Sequence, residues 1–240
     1  MSFGPSCLAV GPTAQSEKGW ELIQEHVIQK RTGVTVTPIG IRINALKSTW
    51  SVVSQAPNWD AVIYCRADRT ICRVPYAKWS KSGFSLPATT DELTVIPTSP
   101  SFRTGTIQIG SSKVPVTFMR WQGPAPALGD MMFQSKGKPT ECVFTIISSK
   151  MFDAPVQVRQ LLRQIYDMPS CDGIPLGFSA SSEQRPLLAT FEVKSIQLPP
   201  ELFDLPTGFK TVKTEMEVWV NAEDKDKIND FGELLGAPGK

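Results

Sequence analysis

The sequence predicts an α+β fold: an antiparallel sheet with a few helices on one face. Three observations carry this. Many short segments alternate apolar and polar residues with period two and are joined by short turns, the signature of antiparallel strands. Helical spacing occurs at the start, middle and end of the chain. The composition, 41% hydrophobic and 20% charged, is that of a folded protein with a real core. At 240 residues the chain is read as a single domain spanning 1–240, with residues 1–13 a disordered N-terminal segment.

The first expected element is a helix over residues 16–32. Ser16 would cap it, Trp20, Ile23 and Val27 share a helical face, and Gly33 would stop it. From Val34 the period becomes two, with Pro38 and Gly40 marking an edge, bulge or bend. A strand is expected over 48–54, then a hairpin of strands 61–65 and 70–74, then a short helical turn at 76–79. Residues 80–101 read as a surface loop containing one strand at 93–96.

Strands follow at 104–109, 114–121, 130–134 and 142–148. The clearest helix opens at Asp153, the expected cap. Pro155 sits in its first turn, and Val158, Leu161, Leu162 and Ile165 form its apolar stripe. Strands 177–180 and 187–198 form a hairpin in which Leu187, Ala189, Phe191 and Val193 are expected to face one way. A last strand, 212–220, and a helix after Asn221 complete the chain.

Charge gives no strong pointer to nucleic acid or to an anionic membrane, and no nucleic-acid partner is expected. The net charge is +2, with Lys and Arg scattered among Asp and Glu. No apolar run reaches the roughly 20 residues needed to span a bilayer, so the chain is expected to be peripheral to a membrane at most. The N-terminus is not an intact secretory signal. The location is therefore periplasmic or extracellular if a signal has been removed, and otherwise cytoplasmic. Oligomeric state is not legible.

Specific chemistry finds little support. The single histidine, His26, offers no metal triad and falls inside the expected first helix. The C-terminal Gly236-Ala-Pro-Gly-Lys240 lacks phosphate-loop spacing. Glu215 and Glu217 flank Met216 on an expected strand and read as a solvated face rather than a catalytic dyad. The chain is read as a non-enzyme with no cofactor and no metal site. Five cysteines show no metal spacing. A two-residue turn at Asp68-Arg69 would set Cys65 opposite Cys72, within disulfide range. They are either a disulfide or two half-buried thiols, and the compartment decides.

Tryptophans and methionines on or beside strands hint at a wide concave face. Trp50, Met119, Trp121, Met131, Phe133 and Phe191 are the expected lining of an apolar site, with core filling the alternative.

The C-terminal third carries a resemblance. Ile174-Pro-Leu, then Leu187-Leu-Ala-Thr-Phe-Glu-Val, then Ile196-Gln-Leu-Pro-Pro-Glu-Leu-Phe-Asp-Leu-Pro-Thr-Gly-Phe-Lys210 resembles the closing segment of uncharacterised bacterial envelope proteins. These are similar in fold to the outer-membrane lipoprotein carrier (LolA-like) family. The resemblance covers residues 174–220. It implies a strongly curved antiparallel sheet, an incomplete barrel, with helices packed on its concave side. It also implies a lipid or a lipoprotein acyl chain as ligand. The alternative is a protein-interaction or structural domain with a filled core and no small-molecule ligand.

Overall fold

The computed structural model describes residues 18–84, 98–124, 141–181 and 185–219. Strands β1 (Lys18–His26), β2 (Lys30–Thr37), β3 (Gly40–Ala45), β4 (Trp50–Gln55), β5 (Ala61–Cys65) and β6 (Thr70–Val74) form one antiparallel meander. Helix α1 (Tyr76–Ser82) follows. A second meander comprises β7 (Thr98–Ile109), β8 (Ser112–Pro124), β9 (Glu141–Ser149), β10 (Ile174–Ala180) and β11 (Leu188–Gln197), with helix α2 (Val156–Ile165) between β9 and β10. The two-residue strand β12 (Lys210–Thr211) adds to β6 in parallel, and helix α3 (Met216–Trp219) ends the described chain.

All strands belong to one 12-stranded sheet in the order β12-β6-β5-β4-β3-β2-β1-β11-β10-β9-β8-β7. The meanders are joined by β1 pairing with β11. Consecutive strands β6 and β7 therefore lie near opposite edges of the sheet.

Register explains the core. Val193, Leu22, Val34, Ile43, Val52, Ile63 and Cys72 pair in sequence across neighbouring strands. None of them is more than 3% exposed. β-branched residues dominate this row because they pack well on a pleated surface. In the second meander the matching row is Met119, Ile146, Phe178 and Leu188. The stripe of α2, Val158, Leu161, Leu162 and Ile165, is fully buried against the same core.

The helices meet across the chain: Gln160 Nε2 donates to the Ser80 carbonyl at 2.7 Å. The connecting segment after β11 crosses the outer face of β3–β5. There the Arg42 guanidinium donates to the Leu202 carbonyl at 2.7 Å.

Several expectations are corrected. The incomplete barrel with helices packed on its concave side does not form. The sheet is open and mixed, and the three described helices have only 7, 10 and 4 residues. Residues 18–37 are a β-hairpin rather than a helix. The inward positions of β1 alternate as Leu22, Gln24 and His26, and two polar residues among them hide the period of two.

Pro38 and Ile39 make a two-residue turn, with Thr37 paired to Gly40. Asp153 is not the cap of α2; it takes a φ of 45°, and Pro155 stands at the cap. The expected last strand, 212–220, gives way to α3. Thr214 N–H and Oγ1 both donate to Glu217 Oε1 there, a capping arrangement. Glu215 is buried and pairs with Lys78 at 3.3 Å instead of facing solvent. The ends of the expected loop 80–101 belong to α1 and β7. Residues 1–13, the strands expected at 93–96 and 130–134, and the final helix lie outside the described residues.

Gly40 gives a direct test of how the crossing segment sits. A Cβ there would lie 2.8 Å from both the Phe203 ring and the Ser54 carbonyl, whereas a Cβ at Gly33 would meet only ordinary contacts from 3.6 Å. Gly40→Ala is expected to lower stability by about 1–3 kcal/mol in urea titrations, and Gly33→Ala by clearly less.

Candidate functional site at the joint of the two meanders

Of the residues expected to line an apolar site, the structure brings Trp50, Met119 and Trp121 into one buried core, at 9%, 6% and 3% exposure. Trp121 stacks on Phe144, with ring centroids 5.1 Å apart and planes 14° apart, and lies parallel to Phe178 at 6.3 Å. Trp50 meets Trp219 edge-on at 4.8 Å. Met131 and Phe133 lie outside the described residues.

Phe191 is not a lining residue, because it is 52% exposed. Its strand carries a bulge: Ile23 pairs with Glu192 and Gln24 with Thr190, leaving Phe191 over. A bulge reverses the alternation that set Phe191 beside Val193. Arg31 covers its ring at 5.8 Å.

The cysteine hairpin is shifted by two residues from expectation. Cys65 pairs with Thr70 and Cys72 with Ile63, around a four-residue loop, Arg66–Arg69. Both cysteines are free and buried. Burial, with Glu215 nearby, pushes the Cys72 thiol pKa up.

The joint itself is built from polar residues that sequence reading passed over. β10 and β11 pair only at Gly177–Ala189 and Phe178–Leu188, then part. Beyond that point side chains replace the ladder. Gln24 Nε2 donates to the Pro175 carbonyl at 2.8 Å and to Thr190 Oγ1 at 3.0 Å. Thr190 Oγ1 donates to the Leu176 carbonyl at 2.7 Å. Tyr166, just after α2, donates its hydroxyl to Gln24 Oε1 at 2.9 Å.

That leaves Thr32 Oγ1 as the donor to Tyr166 Oη at 3.0 Å. The chain runs one way, from Thr32 through Tyr166 and Gln24 to two carbonyls. All three hydrogen-bonding positions of the Gln24 amide used here have protein partners. Gln24, Thr32 and Tyr166 are at most 1% exposed. Burial pushes the Tyr166 phenol well above its ordinary range.

His26 sits beside this chain, its ring 5.2 Å from that of Tyr166. Its Nδ1 accepts the backbone N–H groups of Ile28 and Gln29 at 3.4 and 3.3 Å. The imidazole thus closes the β1–β2 turn, where Lys30 holds a φ of 58°. Burial, reinforced by Lys30, lowers the His26 pKa to about 4, against the opposing pull of the Tyr166 carbonyl. His26 is therefore neutral at physiological pH and works as a turn brace.

Among the described residues no group of three or more His, Cys, Asp or Glu is placed to hold a metal. Two described cavities, of 160 and 270 Å³, are lined by neither Trp50, Met119 nor Trp121. The larger contains Asp172, which already pairs with both Lys150 and Arg159. Two indole nitrogens stand apart: Trp121 Nε1 and Trp219 Nε1 are buried without an acceptor among the described residues.

No family model matches the chain. No curated protein matches it either. Among solved structures, the crystal structure of an uncharacterized conserved protein from Thermus thermophilus aligns at 13% identity with a TM-score of 0.39. The alignment covers 82% of this chain and 91% of that one. A likeness at that level carries no argument about function.

The His26 geometry makes a pH prediction. Its folded pKa lies below its unfolded value of 6.5, so its contribution is complete above pH 6.5 and is lost as pH falls toward about 4. The loss is on the order of 3 kcal/mol. His26→Asn keeps an acceptor for the turn but does not titrate. In urea titrations from pH 7 to 4, the wild type is expected to lose more stability than this variant.

Proposed function

We propose that this chain is a non-enzymatic interaction domain with a filled interior, acting through its surface. One observation supports this above the others. The aromatic and methionine positions that would line a ligand cavity, Trp50, Met119 and Trp121, instead belong to one buried core, with Trp121 stacked on Phe144 and Phe178 and Trp50 against Trp219. Groups that could carry chemistry are likewise committed. His26 braces a turn with its pKa lowered, and burial pushes the Cys171 thiol up to about 11.

A second reading has one observation in its favour. Buried indole N–H groups without acceptors cost about 1–3 kcal/mol each, and Trp121 and Trp219 supply two that lack one among the described residues. The carbonyl or carboxylate of a lipid or lipoprotein acyl chain would satisfy them. On that reading the chain is an envelope-associated apolar-ligand binder of the periplasm or cell exterior.

The two readings separate in one experiment. Native mass spectrometry of protein purified without detergent is expected to give the bare chain mass, unchanged after incubation with fatty acids and phospholipids. A reproducible acyl adduct that disappears in Trp121→Phe would establish the second reading and sink the first. With a filled interior, Trp121→Phe leaves the mass spectrum unchanged, and the cavity it opens is offset in part by removal of the unpaired donor.

A further inference from the structure

The alternate hairpin turns of the first meander lie at one end of the sheet, and backbone hydrogen bonds tie them into a continuous rim. Val27 N–H donates to the Leu187 carbonyl at 2.9 Å, Leu46 N–H to Arg31 at 2.8 Å, and Arg66 N–H to Thr49 at 2.9 Å. Lys210 N–H donates to the Arg69 carbonyl at 2.7 Å, extending the rim to β12.

The described residues of this rim carry seven exposed cations, Lys30, Arg31, Lys47, Arg66, Arg69, Arg185 and Lys210, against two carboxylates, Glu25 and Asp68. The whole chain carries only +2. Among the described residues, 20 Lys and Arg face 13 Asp and Glu, and the rim supplies five of that excess of seven. None of the seven is in an ion pair among the described residues; the ion pairs found there all lie elsewhere.

Two further features distinguish the rim. Three of its arginines are held in place by aromatic rings: Arg31 over Phe191 at 5.8 Å, Arg66 over Tyr64 at 6.0 Å, and Arg69 over Phe209 at 6.0 Å. A guanidinium stacked on a ring can turn its N–H edge toward phosphate oxygens, although Arg69 also donates from Nη2 to the Gly208 carbonyl at 3.3 Å. Apolar side chains also project from adjacent turns. Val27 is 41% and Leu46 51% exposed, each next to lysines or arginines in the sequence or the rim. Lys30 Nζ donates to the Val27 carbonyl at 2.7 Å, which fixes an ammonium beside that tip.

We infer that this rim docks the protein edge-on to an anionic lipid bilayer. The stacked arginines and the lysines contact headgroup phosphates, and Val27 and Leu46 enter the interfacial layer. The pairing of basic charge with exposed apolar tips favours a bilayer over nucleic acid, which would use the charge and leave the tips without a role. The inference holds whether or not the interior takes a ligand, so its failure and that of the filled-interior reading are separate results.

The test is co-sedimentation of the full chain with phosphatidylcholine vesicles containing about 30 mol % phosphatidylglycerol, at low and high salt. The wild type is expected to bind these vesicles, to leave pure phosphatidylcholine vesicles unbound, and to dissociate as salt rises. Lys47→Glu/Arg66→Glu/Arg69→Glu is expected to reduce partitioning at least about ten-fold. The off-rim variant Lys18→Glu/Lys81→Glu/Lys113→Glu keeps most of it. Leu46→Ser lowers binding several-fold without changing charge.

Thermal melts of each variant show whether it folds. If the glutamate triple variant does not, Arg66→Gln/Arg69→Gln replaces it. Absence of wild-type binding to anionic vesicles, or equal loss in both triple variants, would overturn the inference. So would unchanged binding in Leu46→Ser together with full competition by single-stranded RNA, which would make the rim a nucleic-acid surface.

Discussion

Pro175 has no N–H to give, and β10 and β11, paired at Gly177 and Phe178, have parted before they reach it. Without further bonds there, β7–β10 would be held to β11, and through it to the first meander, by two ladder pairs alone. The chain Thr32–Tyr166–Gln24–Thr190 prevents this by supplying, from side chains, the donors that the backbone lacks. Each partner lies on a different element: β2, the end of α2, β1 and β11. One buried amide thus links both meanders and the longest described helix. Its bonds run in a single direction in a dry interior, where chained hydrogen bonds reinforce one another and an unpaired member is costly.

Other features are arranged around that joint. The bulge at Phe191 lets Thr190 point inward to Gln24 while Glu192 returns to register with Ile23. The tip of the β7–β8 hairpin folds onto the freed edge of β11, where Ser112 Oγ donates to the Val193 carbonyl at 2.9 Å. His26 braces the adjacent turn in its neutral form. Deeper in the core the joint gives way to the row from Val193 to Cys72, where burial is close to complete.

The sequence made much of this legible and hid the part that matters most. Strands β4, β5, β6 and β9 announced themselves through β-branched alternation, and α2 through its stripe of Val158, Leu161, Leu162 and Ile165. The first hairpin was hidden because Gln24 and His26 occupy inward positions. Hydrophobic periodicity assumes that what is buried is apolar, and here it is not. The same alternation, followed through Trp20, Leu22, Gln24 and His26, would have pointed to both the strand and the buried amide.

Phe191 was misplaced for a different reason: a bulge is a property of pairing, and nothing in β11 alone marks it. Trp50, Met119 and Trp121 lie in the buried core, but alternation cannot distinguish a side chain that lines a space from one that fills it. The basic rim was invisible to a linear reading, since its cations come from turns scattered between residues 30 and 210 and converge only once the meander is formed.

The most direct measurement is site-resolved native-state hydrogen exchange on the wild type and on Gln24→Leu. With the joint intact, the slowest amides of β1–β6 and of β8–β11 should open together, with one free energy. In Gln24→Leu, the amides of β8–β10 should open separately, at lower free energy than those of β2–β5. A uniform fall in protection across the whole sheet, or no change at all, would contradict the view that this amide ties β7–β10 to the rest of the sheet.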